Sequence, residues 1–250
     1  MKAAVLVEAL KLRRSLVGVI ATIAVVGGTI ALLGGITAAL ASGNPEVIAK
    51  AGPGAALDWT GLLSSATQIT AAGGLLGFGV VLAWLFAREF TDGTIAGLFA
   101  LPVGRGRIAI AKLIVYSIWV ITVSITLTGC LAVLGLILGY GFPNADAWAG
   151  LGRQFVLVVL TGAVATPTAW VATVTRSILA GVGCTIGLVV IAQVSVLAGA
   201  GGWMPLAAPA LWAMSHGAGV TVGQLTLSLV LAMVFATLTL VSWDRLQMNR

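Results

Sequence analysis

The chain has 250 residues, of which 60% are hydrophobic and only 8% are charged, and its mean hydropathy is +1.13. These values lie far outside the range of soluble domains, so they exclude a water-soluble enzyme or binding module and place the chain in a lipid bilayer. The formal net charge of +6 is expected to reflect membrane sidedness. Nucleic-acid binding would instead need a basic patch on one folded face.

The first predicted element is an amphipathic helix over residues 2–14. We expect Glu8, Lys11 and Ser15 to share one face at helical spacing, with Val5, Ala9 and Leu12 on the opposite face. This pattern is typical of a helix that lies in the cytoplasmic interface of the membrane, although a simple extension of the first span would also explain it. The apolar run that follows is too long for a signal-peptide core, so we expect it to be retained as a span.

Charge-free apolar windows predict six membrane-spanning helices, because about 20 apolar residues cross the hydrocarbon layer as a helix. The last window is interrupted by Gly and Pro residues between positions 199 and 209, so it holds two spans. The fold class is therefore an all-α, polytopic membrane protein with a single transmembrane domain over residues 1–250. The predicted spans lie at about 15–41, 62–87, 113–139, 154–175, 177–198 and 218–243.

The distribution of basic residues predicts that both termini are cytoplasmic, since Lys and Arg collect on that side. In this topology only Lys50 and Arg153, of the thirteen basic residues, face outward. An uncharged outer segment over residues 199–217 is expected to form short helices that dip into the outer leaflet. It carries the sole histidine, His216, which we interpret as an interfacial polar residue. A third span in the last window, with the C-terminus outside, is the alternative.

Three pairs of glycines four residues apart recur inside the predicted spans, and such spacing lets helix backbones approach closely in lipid. Each pair marks either packing within the chain or a seam between two copies. Pro167 predicts a kink in the fourth span, with the neighbouring threonines bonding to the freed carbonyls. The glycine pairs are Gly73–Gly77, Gly135–Gly139 and Gly183–Gly187.

Chemistry that would drive transport is missing from the sequence. No predicted span has an ionisable residue in its interior, which argues against coupling to an ion gradient. Phosphate-binding loops and common hydrolase motifs are also absent, and Cys130 and Cys184 lie inside predicted spans, where they suggest packing rather than a disulfide or metal site. We expect no catalytic, cofactor or metal site in this chain. Energy for uphill transport would come from another chain.

The stretch "REFTDGTIAGLFALPVGRGRIAIAK", residues 88–112, holds six charged residues and joins the second and third spans on the predicted cytoplasmic side. Thr91 and Asp92 are expected to cap the start of a short helix that ends at Pro102. Its apolar stripe would pack against the span ends or a partner protein. An ordinary positive-inside loop is the alternative. The stripe comprises Ile95, Leu98 and Phe99.

This stretch resembles a signature of ABC transporter permeases of the type-2 class, which export drugs, bacteriocins and polysaccharides. The signature reads R-E-[FY]-x-x-G-T-x-x-x-L-x-x-x-P-[VI]-x-R-x-x-x-x-x-x-K. Gly104 departs from it, because a Ser is common at that position. The plan of the whole chain is also similar. The matching residues are Arg88, Glu89, Phe90, Gly93, Thr94, Leu98, Pro102, Val103, Arg105 and Lys112.

The resemblance implies that residues 91–101 form a coupling helix that docks on a separate ATP-binding subunit, which itself binds ATP and Mg. A smaller second contact is implied at Arg176 and Ser177. The residues implied in ATPase coupling are Arg88, Glu89, Asp92, Gly93, Thr94, Leu98, Phe99, Pro102, Arg105 and Lys112.

The same resemblance implies an assembly of two ATP-binding subunits and two permeases in the cell membrane, where the second permease is a copy or a paralogue. The substrate would pass between the permeases, and the apolar surface of the spans suggests an amphiphilic or hydrophobic cargo. A membrane sensor or immunity scaffold that binds an ATPase without transport is the first alternative. A passive facilitator or ion-coupled carrier is the second, and the missing intramembrane charges argue against it.

Overall fold

The computed structural model describes residues 1–43, 56–95, 97 and 103–246. In this part of the chain all regular structure is helical. An N-terminal helix, α1 (Lys2–Arg13), precedes six helices long and apolar enough to cross a membrane, which confirms the predicted all-α, six-span fold. The six are α2 (Leu16–Ala41), α3 (Trp59–Thr91), α4 (Arg105–Ile137), α5 (Ala145–Thr175), α6 (Ile178–Leu197) and α8 (Val222–Asp244).

Short polar side chains start most of these helices, because they accept hydrogen bonds from backbone N–H groups that the first turn leaves unpaired. The Asp58 carboxylate accepts from the Gly61 N–H at 2.8 Å, and Asn144 accepts from the Ala147 N–H at 2.8 Å. The hydrogen bonds from Thr60 and Gly61 also hold the pKa of Asp58 below its usual value. The caps therefore fix where α3 and α5 begin.

Helices α3 and α5 form the centre of the bundle, since their spanning windows are the most buried of the six. The α3 side chains Phe78, Leu82 and Phe86 are inaccessible to solvent. In contrast, only 11% of the spanning window of α6 is buried. One face of α6 is therefore left to lipid or to another protein.

Some of the paired glycines serve packing within the chain, and others are open enough to lie at a seam between two copies. A Cβ on Gly77 would lie 2.6 Å from Val25 of α2, and one on Gly135 would overlap the Trp59 ring, so these two glycines serve packing within the chain. At Gly183 and Gly73 a Cβ would meet nothing within 4 Å. Gly183 lies on the exposed side of α6.

Helix α5 is interrupted between Val164 and Pro167, as Pro167 predicts. The Thr166 hydroxyl donates to the Ala163 carbonyl at 2.9 Å, so it satisfies an acceptor freed at the break. Thr168 does not do the same, because its hydroxyl pairs with Thr185 of α6 at 3.0 Å. Between α6 and α8 the chain forms a 3-10 turn (Gly201–Trp203) and a short helix, α7 (Ala208–Met214).

We expect Gly79→Ala to destabilise the protein by about 1–3 kcal/mol, because the added Cβ would overlap Thr185 in a packed interior. Thr185 has no room to move, since it is fully buried and its hydroxyl bonds both Gly181 and Thr168. Gly73→Ala, six residues earlier on α3, is the matched control and should be neutral or stabilising. Thermal unfolding in detergent measures both, and equal effects would contradict the prediction.

Candidate functional site

Four charged side chains meet at one end of the bundle, where α3 ends and α4 begins. The Lys112 ammonium lies 2.8 Å from carboxylate oxygens of both Glu8 and Glu89. The Lys11 ammonium lies 2.8 Å from Glu8 and 3.1 Å from Glu89. Two positive and two negative groups therefore form a neutral cluster, which we call the ion cluster (Glu8, Lys11, Glu89 and Lys112).

The ion cluster is deeply buried, as the side chains of Lys112, Glu8 and Glu89 are 1%, 3% and 4% exposed. Charges at such depth are tolerated only when they are paired, so removing one partner leaves a charge that nothing compensates. Within the described residues, one oxygen of Glu89 has no hydrogen-bond partner. For Lys11, burial opposes the charged form, but the hydrogen bond and charge of Glu8, together with Glu89, outweigh it and raise its pKa.

Aromatic residues close the ion cluster on its inner side. The Lys112 ammonium lies 5.8 Å from the centre of the Trp243 ring, within the range of a cation–π contact. Trp243 is fully buried, and its indole N–H donates to the Thr173 hydroxyl at 3.1 Å. Phe86 and Phe90 of α3 pack against the same ring. The ion cluster and Trp243 thus join α1, α3, α4, α5 and α8.

A second set of charges lies above the ion cluster and faces outward. Arg88 donates to the Asp92 carboxylate at 3.0 Å, and both side chains are more than one third exposed. Arg176 lies 5.7 Å from the centre of the Phe90 ring, which brings the loop after α5 next to the end of α3. On the other side, Arg105 donates to the Leu246 carbonyl. The end of α3, the start of α4, the loop after α5 and the residues after α8 therefore meet at this end of the bundle.

The prediction that Thr91 and Asp92 cap the start of a short helix is wrong. Thr91 is the last residue of α3, and Asp92 is its C-cap, because the Arg88–Asp92 ion pair supports another turn. Gly93 ends the helix in a left-handed conformation with φ of +67°, which glycine adopts without strain. Beyond it, Ile95 and Gly97 are helical. The predicted site residues Leu98, Phe99 and Pro102 lie outside the described residues.

The prediction for the faces of α1 is also corrected. Leu12 does not lie opposite Glu8, because residues four apart share one side of a helix and both side chains are buried. The charged groups of Glu8 and Lys11 both turn into the bundle. The exposed side of α1 carries Leu6 and Leu10 instead. Apolar residues outside and paired charges inside suit a helix that lies against lipid and is held to the bundle by ion pairs.

The structure brings the predicted residues into two groups. Glu89 and Lys112 are buried in the ion cluster. They lie within α3 and α4, because both helices extend beyond the spans that were predicted at 62–87 and 113–139. Arg88, Asp92, Gly93 and Thr94 lie at the surface above them. Arg176 takes a left-handed conformation with φ of +54°, and the Ser177 hydroxyl accepts from the Ala180 N–H to start α6. Both therefore shape the second loop.

Sequence reasoning missed Glu8, Lys11 and Trp243 as members of this site. One indication of this site was present in the sequence, because Glu8 and Lys11 carry opposite charges three residues apart in α1. Their partners are 78 and 104 positions away, so the contacts depend on tertiary structure. Among the described residues, no group of three or more His, Cys, Asp or Glu side chains is arranged to hold a metal ion.

The chain matches the sequence model of a known protein family. The sequence model described as ABC-2 family transporter protein matches residues 4–193. The matched range begins within α1, includes all four residues of the ion cluster and ends within α6. No curated protein matches the chain.

Proposed function

Because the chain belongs to the ABC-2 family of transporter proteins, we propose that it is the membrane-spanning permease of an ATP-driven exporter in the cell membrane. It is a multi-pass membrane protein and a transport component without catalysis of its own. In the proposed assembly, two permeases, either identical or paralogous, pair with two ATP-binding subunits. Those subunits bind ATP and Mg and hydrolyse the nucleotide.

The ion cluster is the observation that carries this proposal. It lies where α3 ends and α4 begins, and its four charges tie both helices to α1. Trp243 adds α8 to the same unit. A force applied at the loop would therefore move four helices together, since separating any of them would expose a buried charge. This is what transmission of a force from a cytoplasmic ATPase requires.

The exposed residues above the ion cluster are the proposed docking surface for the ATP-binding subunit. Arg88, Asp92, Gly93 and Thr94 are accessible there. Glu89 and Lys112 act from within, because they hold the base of the loop and have almost no exposed surface. The contact of Arg176 with Phe90 supports a second loop that joins the same surface.

The exposed face of α6 supports the dimeric part of the proposal. Gly183, Ile186, Val190, Val194 and Leu197 recur at helical spacing, and all of them are exposed. Gly183 is open enough for a second helix backbone to approach closely. We place the seam between the two permeases on this face, with the substrate pathway between the two chains.

A cysteine at Gly183 is expected to cross-link two permeases. In a background where Cys130 and Cys184 are serine, mild oxidation of Gly183→Cys in membranes should give a dimer band that reductant removes. Ile118→Cys, an exposed position on α4, is the control and should stay monomeric. A dimer band at Ile118→Cys with none at Gly183→Cys would place the seam elsewhere.

Reconstitution tests the proposed function. Affinity purification of the tagged chain is expected to recover an ATP-binding subunit. Proteoliposomes with both proteins should then move a fluorescent amphiphile only when ATP is present. ATPase binding without flux would favour the sensor or scaffold, and flux that continues without ATP would favour a facilitator.

A further inference from the structure

A polar cavity of about 490 Å³ lies at the end of the bundle opposite the ion cluster. It opens between the first turns of α3 and α5 and the end of α7. Five polar side chains in its lining make no hydrogen bond or ion pair within the described part of the chain. They are Ser64, Gln68, Asp146, Arg153 and His216.

The charges in this cavity come as a separated pair. Asp146 and Arg153 are seven residues apart on α5, so they lie two turns, or about 10 Å, apart along its axis. Together they are neutral, and each lacks a partner among the described residues. A simple anion would be attracted by Arg153 and repelled by Asp146, and a cation would meet the reverse. A zwitterion satisfies both groups.

A buried hydrogen-bond network adjoins the cavity at Thr67, which is one of its lining residues. The Gln154 side chain is 1% exposed. Its amide nitrogen donates to the Thr70 hydroxyl at 2.7 Å, and its oxygen accepts from the Thr67 hydroxyl at 3.2 Å. These bonds fix α3 against α5 directly beside the cavity. The site is therefore preorganised and needs little ordering when a ligand binds.

A second cavity, of about 190 Å³ and largely apolar, lies deeper in the bundle. Ala71 and Leu75 line it on the turns of α3 that follow Gln68, and Val164 lines it on α5 beyond Arg153. Met214 of α7 lines both cavities. The two spaces thus follow one another along the same helices, with polar groups at the outer end and apolar groups inside.

We propose that the two cavities form one binding site for a single zwitterionic amphiphile of the phospholipid type. Its ammonium group pairs with Asp146, its phosphate pairs with Arg153, and a segment of one acyl chain enters the apolar cavity. The site lies within one chain. Its occupation depends neither on a second permease nor on the transport function proposed above.

Native mass spectrometry of the purified, delipidated full chain tests the polar part. The probes are dioleoyl phosphatidylethanolamine and dioleoyl phosphatidylglycerol, which share acyl chains and phosphate and differ in the ammonium. One phosphatidylethanolamine should bind per chain, at least tenfold more tightly than phosphatidylglycerol. Arg153→Gln and Asp146→Asn should each weaken its binding about tenfold, whereas Arg107→Gln, an exposed arginine at the other end of the bundle, should have no effect.

A pair of neighbouring substitutions tests the apolar part independently. Ala71→Phe should fill the inner cavity and weaken phosphatidylethanolamine binding about tenfold. Ala72→Phe, which adds the same ring on the exposed side of α3, should leave binding unchanged. All variants must elute as the wild type does in size-exclusion chromatography.

Three results would overturn the proposal. One is equal binding of the two lipids. Another is binding that Arg153→Gln, Asp146→Asn and Ala71→Phe leave unchanged. The third is equally tight binding of glycerophosphoethanolamine, the same headgroup without acyl chains, which would show that the ligand is a soluble zwitterion.

Discussion

Lys112→Met is expected to lower the free energy of unfolding by about 3–5 kcal/mol, the usual cost of removing one partner from a buried ion pair. The substitution keeps an unbranched apolar stem but removes the ammonium group, which within the described residues is the only fully buried one that contacts Glu8 and Glu89. Lys11, which is 29% exposed, cannot neutralise both carboxylates. We therefore expect a fall in the unfolding temperature on the order of 10 °C.

The design includes a control on the same helix and a compensating variant. Arg107→Met removes an exposed cation five residues earlier on α4 and should change the unfolding temperature little. Glu89→Gln combined with Lys112→Met removes one charge of each sign and leaves Glu8 paired with Lys11. This double variant should be more stable than Lys112→Met alone, which is the signature of coupled residues.

These measurements show whether the four charges stabilise the fold by pairing or act as independent charges. If Lys112→Met destabilises the protein no more than Arg107→Met does, the ion cluster contributes little to the fold. If the double variant is no more stable than the single one, the two charges are not coupled. Either result would remove the physical basis for a rigid unit of α1, α3, α4 and α8.

Hydropathy predicted the number of spans because the cost of placing charge in hydrocarbon depends on local sequence alone. The helix ends were less predictable. Helix α3 continues to Thr91 and α4 starts at Arg105, since a helix can extend beyond the apolar window when its charges find partners. Glu89 and Lys112 therefore resembled loop charges, although each lies within a helix and is buried.

The faces of α1 show a second limit of prediction from the sequence. Glu8 and Leu12 are four residues apart and lie on the same side of α1, so their spacing does not divide a charged face from an apolar one. Periodicity also cannot tell a charged face in water from one that pairs with distant charges. The same holds at the opposite end of the bundle. In the sequence, Arg153 was one of two basic residues on the predicted outer side, and nothing nearby indicated a cavity shared with Asp146 and Met214. Both the pairing of the α1 charges and the cavity at the opposite end depend on contacts between helices that are distant in the sequence.

Leu98→Glu combined with Phe99→Glu is expected to reduce ATP-dependent flux to less than about a tenth of the wild-type rate. The prediction rests on the proposed docking role of the loop, because truncating or charging the apolar centre of an interface removes most of its binding free energy. Both residues lie outside the described part of the chain. Their neighbour Ile95 is helical and packs partly against the bundle, so the first residue of the stripe contacts this chain's own core.

Gly97→Glu is the matched control for this variant. Gly97 is exposed and helical, and a Cβ there would meet nothing within 4 Å. It adds a carboxylate to the same short segment, one residue before Leu98 in the sequence and outside the predicted apolar stripe. Flux and recovery of the ATP-binding subunit should both persist in this variant if the stripe, rather than net charge, makes the contact.

The unfolding temperature shows whether Leu98 and Phe99 pack against the ATP-binding subunit or against the ends of the membrane spans. If Leu98 and Phe99 contact the ATP-binding subunit, the charged double variant loses both flux and the recovered subunit, and its unfolding temperature stays near that of Gly97→Glu. If they continue the packing of Ile95 onto the span ends, the unfolding temperature falls as it does for Lys112→Met. Flux equal to wild type would contradict a docking role for these residues, and the ATP-binding subunit would then have to engage the exposed Arg88 and Asp92 instead.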